Sequence, residues 1–289
     1  MLYSVRTGPF FTRLKTSLNT VADGIERFYT GNLERPNAGF YDFHIRIDSP
    51  PNLRRWIRPQ VLFYLDGQSP FKPLPCDQAY PMFEWGLNWC ISHQAHQYLI
   101  LHAAVVEKND RAVIMPGAPG SGKSTLCAGL VQRGWRLLSD EMALISPKDG
   151  RVTALARPVG LKNESIDVIR RFAPNAAIGP TTHDTRKGTI AHMRAPQESI
   201  DRVHQHAVPC WLIFPCFQSG AACSLSERSK CSAFMEAAKQ GFNYSLLGVE
   251  GFRTLKRLIE DCICYDFEYS RLSDAVEVFD KLPLGRESA

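Results

Sequence analysis

The sequence of 289 residues predicts an α/β protein, with a mixed sheet in its main part and a small β-rich module before it. A strand, a glycine-rich turn and a helix follow one another across Arg111–Arg133, as is typical of α/β domains. A further strand precedes this unit, and a tight turn joins it to the first strand of the unit. Those two strands are therefore antiparallel, and the sheet is mixed. Short alternating runs dominate the first third. We therefore predict a β-rich module at residues 1–95 and an α/β domain at 96–289.

The composition argues against several classes of protein. Hydrophobic residues make up 44% of the chain, enough for a sizeable core. The net charge is only +5 and no block of Lys and Arg is present, which argues against a nucleic-acid partner. No segment approaches the roughly 20 apolar residues of a membrane span, and the N-terminus lacks the apolar core of a signal peptide. We therefore expect a cytoplasmic protein with no membrane partner.

The nine cysteines are scattered and form no C-x-x-C pair, a pattern that argues against a structural zinc site. Cys127, Cys262 and Cys264 fall in apolar segments and are expected to be buried. Free thiols of this kind suit the reducing cytosol.

Two strands and a helix are predicted in the module. Phe40–Ile47 and Val61–Leu65 have the composition and bounding turns of strands. Tyr80–His93 carries apolar residues at helical spacing, with Phe83 and Leu87 on one face, which predicts an amphipathic helix. We assign the Trp and Phe residues of the module to a core or an interface. No chemistry is predicted there.

The α/β domain begins with a hairpin, in which strands at Tyr98–Val106 and Arg111–Pro116 flank a tight turn. A helix is predicted at Thr125–Arg133, and Gly134 ends it. The polar, turn-rich segment Gly179–Gly188 is predicted to be a mobile loop. Further strands are predicted at Trp135–Leu138, Met142–Ser146, Arg151–Ala156, Thr189–Met193 and Trp211–Phe214, further helices at Glu164–Phe172 (with Asn163 as N-cap), Glu227–Lys239 and Val249–Ile263, and a closing strand–helix unit at Tyr265–Leu282.

The most informative feature is the segment Gly117–Ser124, which we call the glycine loop. It matches the phosphate-binding pattern G-x-x-x-x-G-K-[ST] at every fixed position, between a predicted strand and a predicted helix. Such a turn directs backbone N–H groups at one point, which suits a polyphosphate. Lys123 is predicted to reach the β- and γ-phosphates of ATP, and the Ser124 hydroxyl to bind Mg²⁺. The predicted nucleotide-binding residues are Gly117, Ala118, Pro119, Gly120, Ser121, Gly122, Lys123, Ser124 and Thr125.

Two adjacent acids, Asp140 and Glu141, follow the next predicted strand and should lie at the same sheet edge as the glycine loop. One carboxylate there can bind Mg²⁺, and another can accept the proton of an attacking hydroxyl. Neighbouring strand residues face opposite ways, so the two acids can divide these roles. We predict that Asp140 is the base and that Glu141 binds Mg²⁺ with Ser124; the reverse division stays open. His102, on the strand beside the loop strand, is predicted to orient Asp140 by a hydrogen bond, the alternative being a core histidine.

The stretch from His102 to Glu141 resembles the kinase domain of HPr kinase/phosphorylase. The matching residues are His102, Gly122-Lys123-Ser124, Val131-Gln132-Arg133-Gly134 and Leu137-Leu138-Ser139-Asp140-Glu141. The chain is most similar to the HPr-kinase-related kinases, whose likeness extends to Pro158–Asn163, Lys187-Gly188 and Tyr269–Leu272. The resemblance implies a P-loop fold like the nucleotide domain of phosphoenolpyruvate carboxykinase. It also implies transfer of phosphate from ATP, with Mg²⁺, to a serine hydroxyl of a protein or peptide, and a homo-oligomer.

The chain departs from that family at two places. Thr125 stands where HPr kinases carry Glu, and Leu155–Gly160 replaces their Glu-x-Arg-Gly-Leu-Gly signature, which argues against HPr as the substrate. Arg157 keeps the family's arginine position. Two alternatives to a protein kinase stay open: a kinase of a small hydroxyl metabolite, and a nucleotide-binding regulatory module without transfer activity. Weaker candidates for contact with phosphate or substrate, each also explicable as an ordinary charge, are Arg157, Lys162, Arg186 and Lys187.

Overall fold

The computed structural model describes residues 1–36 and 39–282 and shows a mixed α/β architecture. No helix in these ranges is long and apolar enough to cross a membrane. The strands are β1 (Leu2–Thr7), β2 (Phe10–Thr16), β3 (Leu33–Glu34), β4 (Phe43–Asp48), β5 (Gln60–Leu65), β6 (Leu74–Pro75), β7 (Leu99–Lys108), β8 (Arg111–Pro116), β9 (Arg136–Ser139), β10 (Met142–Ile145), β11 (Val152–Thr153), β12 (Val159–Lys162), β13 (Thr182–Thr185), β14 (Gly188–Met193), β15 (Val208–Phe217), β16 (Ser224–Glu227) and β17 (Ile263–Tyr269). The helices are α1 (Asn19–Phe28), α2 (Ala79–Gln94), α3 (Lys123–Val131), α4 (Glu164–Phe172), α5 (Gln197–Asp201), α6 (Lys230–Lys239), α7 (Tyr244–Asp261) and α8 (Leu272–Asp280).

The first sheet is built by the N-terminal part, in the order β3-β1-β2-β4-β5-β6 among the described strands. Alternation along β4 buries Phe43, Ile45 and Ile47 and leaves His44 exposed, so one face of the sheet is apolar. Helices α1 and α2 cover that face. The strands β4 and β5 and the helix α2 were predicted. The strands β1 and β2 were not predicted, because inward-facing Thr residues such as Thr12 weaken the alternation of apolar and polar residues. The helix α1 was also not predicted.

The second sheet runs β11-β10-β7-β8-β15-β17-β16 in the described residues, with β9 also paired to β7. Strands β7 and β8 form the predicted antiparallel hairpin, while β8, β15 and β17 are parallel, so the sheet is mixed as expected. The parallel strands are nearly continuous apolar runs because helices cover them. The glycine loop leaves the end of β8 and enters α3, which lies against this sheet. Cys127, Cys262 and Cys264 are buried and free, as predicted.

A third, small sheet has the order β12-β14-β13 among the residues described. It corrects the prediction that Gly179–Gly188 is a mobile loop, because β13 pairs with β14 in a hairpin. Helix α4 has the predicted bounds, but the Asn163 side chain does not cap it. The Asn163 carboxamide oxygen instead accepts a hydrogen bond from Thr189 N, 3.0 Å away, and so joins the helix start to β14.

The two hydrophobic cores share a wall. The core between the first sheet and its helices also contains Ile100, Met142, Leu144 and Leu155, which belong to the second part of the chain. Strands β7 and β10 therefore present one face to each core. The N-terminal part is packed directly on one face of β7 and β10, next to the acids that follow β9.

Candidate functional site

The glycine loop has the backbone geometry of a tight cradle. Gly120 and Gly122 both have φ of +90°, a conformation that favours glycine, and Gly122 is the N-cap of α3. Tyr269 Oη donates a hydrogen bond to Gly122 O over 2.9 Å, and a Cβ at position 122 would lie 2.4 Å from that hydroxyl oxygen. Phe217 N donates to Ser121 O over 3.1 Å. The ends of β15 and β17 therefore hold the loop in place.

Lys123 lies inside this cradle and is only 6% exposed. Its Nζ donates hydrogen bonds to the carbonyl oxygens of Gly117 and, at 3.1 Å, Ala118. Burial lowers the pKa of Lys123 to about 8, although the nearby Asp140 favours the charged form. The first N–H groups of a helix lack partners within the helix, so the start of α3 adds unpaired donors beside this ammonium group.

Lys123 and the two acids line one cavity of about 1340 Å³. The lining also includes Gly120 and Gly122 of the glycine loop. Residues of α2, from the N-terminal part of the chain, contribute a further part of it. The structure thus brings together the loop, its lysine and both predicted carboxylates.

Asp140 is buried, with 6% of its surface exposed. Its Oδ2 accepts a hydrogen bond from Gly160 N over 2.9 Å, while Oδ1 has no partner among the described residues. Burial raises the pKa of Asp140 to about 6, and the adjacent charge of Glu141 contributes in the same direction. This carboxyl therefore titrates near neutral pH with one oxygen unpartnered.

Glu141 experiences the opposite electrostatic balance. Asn88 Nδ2 donates a hydrogen bond to Glu141 Oε2, and Lys162 Nζ lies 3.8 Å from Oε1. Burial alone would raise the pKa of Glu141, but Lys187 and Lys162 outweigh it, so the pKa lies below its usual value. The environments of Asp140 and Glu141 push their pKa values apart, which is the pattern expected of two carboxyl groups with different chemical roles.

His102 lies beside Glu141, which corrects the expectation of a hydrogen bond to Asp140. The two side chains influence each other's pKa, and burial followed by the charge of Lys123 lowers the pKa of His102. The ring of Phe242 packs edge-on against the imidazole, with the centroids 5.8 Å apart. His102 lines the cavity. Its neighbours thus include Lys123, Glu141 and Gln240, the last of which forms a hydrogen bond with the His102 side chain.

Arg157 has a role different from the predicted contact with phosphate or substrate. Its guanidinium is 2.6 Å from Glu84 Oε2, donates to Tyr29 Oη over 3.3 Å, and donates to Asn88 Oδ1. Because these partners belong to the N-terminal part and Arg157 is buried, the guanidinium is occupied within the protein. Asn88 in turn donates to Glu141. A continuous chain of hydrogen bonds therefore runs from Glu84 through Arg157 and Asn88 to Glu141.

The other weaker candidates lie on two elements. Lys162, at the end of β12, and Lys187, in the β13–β14 turn, both line the cavity. Lys162 is the ion-pair neighbour of Glu141, and Lys187 Nζ lies 5.8 Å from the ring centroid of Trp85. Arg186 is exposed on the same turn and is not a lining residue of the cavity, so the structure does not support its predicted contact with phosphate.

Sequence reasoning missed the contribution of α2. The face with Phe83 and Leu87 is buried in the first core, as predicted, but the opposite side of the helix forms a wall of the cavity. The spacing i, i+3, i+4, i+7, i+8 is the signal that could have revealed a second face. We call the side of the helix that lines the cavity the cavity face of α2. It consists of Trp85, Asn88, Trp89, Ser92 and His93.

The residues present suit Mg²⁺ bound together with a nucleotide. The Asp140 carboxyl has a buried, unpartnered Oδ1, and the Ser124 side chain lowers the pKa of the same carboxyl, so the two groups are neighbours. Residues 1–36 and 39–282 hold no cluster of three or more His, Cys, Asp or Glu side chains suited to a metal. Mg²⁺ at a nucleotide site needs only one or two carboxylates, with phosphate and water as the other ligands.

Part of the chain matches a known protein family. A family described as SynChlorMet cassette protein ScmC matches residues 82–159. The matched stretch runs from α2 through the glycine loop to the start of β12, and it includes Lys123, Asp140 and Glu141. No curated protein matches the chain.

Proposed function

We propose that this protein is an ATP- and Mg²⁺-dependent kinase that transfers the γ-phosphate to a Ser/Thr-type hydroxyl of a protein or peptide. We further propose that its α/β domain has the P-loop fold of HPr kinase/phosphorylase and of the nucleotide domain of phosphoenolpyruvate carboxykinase. One observation carries the proposal: Lys123 of the glycine loop and the Asp140 carboxyl face a common cavity.

The glycine loop would bind the triphosphate. Its backbone N–H groups and the N-terminus of α3 point at one place, and Lys123 adds a positive charge there. In the free protein the Lys123 ammonium is bonded to carbonyl oxygens of the loop. Phosphate oxygens would replace these carbonyl groups as partners. Ser124 and one of the two acids would hold Mg²⁺, which supplies charge neutralisation at the phosphates.

The transfer step would proceed in line. The acceptor oxygen forms a bond to the γ-phosphorus, the bond from that phosphorus to the β,γ-bridging oxygen breaks, ADP leaves, and the acceptor proton passes to a carboxylate. Asp140, with a pKa of about 6 and a free oxygen, suits this base role near neutral pH. Glu141, held ionised by lysines, would then assist Mg²⁺.

The reverse division is a second candidate because Ser124, the other predicted Mg²⁺ ligand, neighbours Asp140. In that case Asp140 binds Mg²⁺ and Glu141, beside His102, takes the proton. Asp140→Asn and Glu141→Gln separate the two. The variant that loses the metal ligand requires more Mg²⁺ for half-maximal rate. The variant that loses the base keeps the Mg²⁺ requirement and loses kcat at saturating Mg²⁺.

Lys123→Ala tests the function itself. It should weaken MgATP binding and abolish transfer, because the charge that offsets the phosphates is removed. The measurements are calorimetric binding of MgATP and transfer of labelled γ-phosphate to peptides that co-purify with the protein, followed by mass spectrometry. Lys148→Ala, at an exposed turn between β10 and β11, is the matched control.

Three outcomes separate the function classes. Phosphorylated serine in a peptide supports the proposal. Transfer only to free serine, threonine or sugars indicates a small-molecule kinase. Tight MgATP binding with neither hydrolysis nor transfer indicates a regulatory module, and unchanged MgATP binding by Lys123→Ala contradicts a nucleotide site at the glycine loop.

A further inference from the structure

The cavity is larger than one small ligand requires. Sites for a single small molecule or cofactor usually enclose about 300–1000 Å³, whereas this cavity has about 1340 Å³. Its lining also includes two chemically different groups of residues, the glycine loop with Lys123 and the aromatic residues of α2 with Phe242. Asp140 is an electrostatic neighbour of Lys123, and Asn88 of α2 donates a hydrogen bond to Glu141. A second reactant at the cavity face of α2 would therefore have its hydroxyl next to the groups that accept a proton.

The cavity face of α2 is built for an amphipathic ligand. Trp85 and Trp89 are one helical turn apart and both are half-buried, so part of each indole borders the cavity. Trp89 is fixed from behind by Phe71, with ring centroids 5.2 Å apart, and lies against the imidazole of His93 at 4.7 Å. Indole rings held in this way offer flat apolar surface at low entropic cost, and their N–H groups can meet backbone carbonyls.

Phe242 adds a further aromatic ring to the lining. It is 51% exposed and packs edge-on against His102. A ligand in contact with both α2 and Phe242 would therefore meet several aromatic rings, while Ser92 offers a polar group beside them. A small sugar or a free amino acid would leave most of this aromatic surface uncovered.

We propose that the cavity face of α2, together with Phe242, is the acceptor-binding wall, and that it takes a peptide segment in which aromatic or aliphatic residues flank the hydroxyl that is phosphorylated. This inference rests on the proposed function. It makes the N-terminal part of the chain the substrate-recognition element of the enzyme.

The test is equilibrium binding without nucleotide, which makes it independent of phosphate transfer. Two fluorescein-labelled peptides are titrated with the full-length protein: one has Leu and Phe around a central Ser, the other has Asp and Gly. Fluorescence anisotropy should show tighter binding of the apolar peptide. Trp85→Ala and Trp89→Ala should each weaken it about tenfold, the loss expected from roughly 1.4 kcal/mol of apolar burial.

Controls separate recognition from folding. Trp56→Ala removes a tryptophan that is 71% exposed outside the cavity and should leave peptide affinity unchanged. Trp85→Phe and Trp89→Phe should keep most of the affinity, and MgATP affinity should be the same in every tryptophan variant. Equal binding of the two peptides, no binding of either, or full affinity in both alanine variants would overturn the inference. If binding follows the expectation but Lys123→Ala leaves ATP binding intact, the proposed function fails and the recognition site stands.

Discussion

Asp140 and Glu141 are adjacent in the sequence, but their side chains lie in different electrostatic environments. The Asp140 carboxyl is buried with a single backbone hydrogen bond, whereas Glu141 faces the ammonium groups of Lys162 and Lys187. The first carboxyl therefore has a pKa of about 6, and the second has a pKa below its usual value. A buried, partly unpartnered carboxylate costs stability, and such a cost is typical of functional sites.

Asp140→Asn should stabilise the ligand-free protein above pH 6. The folded protein holds the Asp140 proton up to about pH 6, whereas the unfolded chain releases it near its ordinary pKa of 3.8, so stability falls as the pH rises between these values. Asn carries no charge. The variant should therefore gain up to about 3 kcal/mol relative to the wild type above pH 6, from 1.36 kcal/mol per pKa unit. Urea unfolding between pH 4 and pH 8 measures this difference.

Asp167→Asn, at an exposed position of α4, is the control and should change stability by less than about 0.5 kcal/mol. A difference between Asp140→Asn and the wild type that is constant from pH 4 to pH 8 would show that Asp140 is not the titrating group.

At the scale of elements, α2 has one face in the first core and another that lines the cavity. One face fills the first core, and the other supplies Asn88, which accepts from Arg157 and donates to Glu141. The side-chain hydrogen bonds of Asn88 thus go to Arg157 and Glu141. Asn88 is therefore a positioning residue, which fixes the orientation of a carboxylate through hydrogen bonds.

Asn88→Asp should raise the pKa of Glu141, because a carboxylate would replace the amide that donates to it. Because the added carboxylate also disfavours the charged form of the neighbouring Asp140, we expect the acidic limb of the pH–rate profile to move to higher pH. We further expect kcat to fall about tenfold, with the KM for MgATP unchanged. Rates measured from pH 5 to pH 9 give this profile. Gln94→Asp, at the exposed end of the same helix, is the matched control. A uniform loss of rate with an unshifted profile would indicate a purely structural role for Asn88.

The elements show how far sequence reasoning reached and why it stopped. Strand β8 and helix α4 have the predicted bounds, because turns and a proline mark their ends. The glycine loop and both acids were recognised as candidates in the sequence, because phosphate binding restricts the spacing of such residues. The cavity face of α2 was missed although its spacing is a local signal, whereas the contacts of Arg157 were not found because they depend on how the N-terminal part packs on the second sheet. No local pattern encodes that packing.

At the scale of the whole molecule, the shared wall of the two cores predicts a single cooperative unfolding transition. The predicted boundary near residue 95 divides the chain by composition, yet Ile100 and Leu144 complete the core of the first part. Removing the first part would expose these apolar side chains. The two parts should therefore unfold together, with equal calorimetric and van't Hoff enthalpies.

Leu144→Ala should lower the free energy of unfolding by about 2–5 kcal/mol, the usual cost of truncating a fully buried leucine. The midpoint temperature of the single transition should fall accordingly. Differential scanning calorimetry measures the shift. The control is Leu246→Ala, at a position that is 68% exposed, which should leave the midpoint almost unchanged. Two separate peaks, of which Leu144→Ala moves only one, would show that the two parts unfold independently.

The hydrogen bond from Tyr269 to Gly122 has a consequence for biosynthesis. The loop is translated well before the strand that fastens it, and β17 must pair with β15 before the hydroxyl can reach its carbonyl partner. A growing polypeptide on the ribosome thus carries the glycine sequence long before the loop can be fastened in its final geometry. That geometry is completed late in synthesis, when α6, α7 and β17 have already emerged.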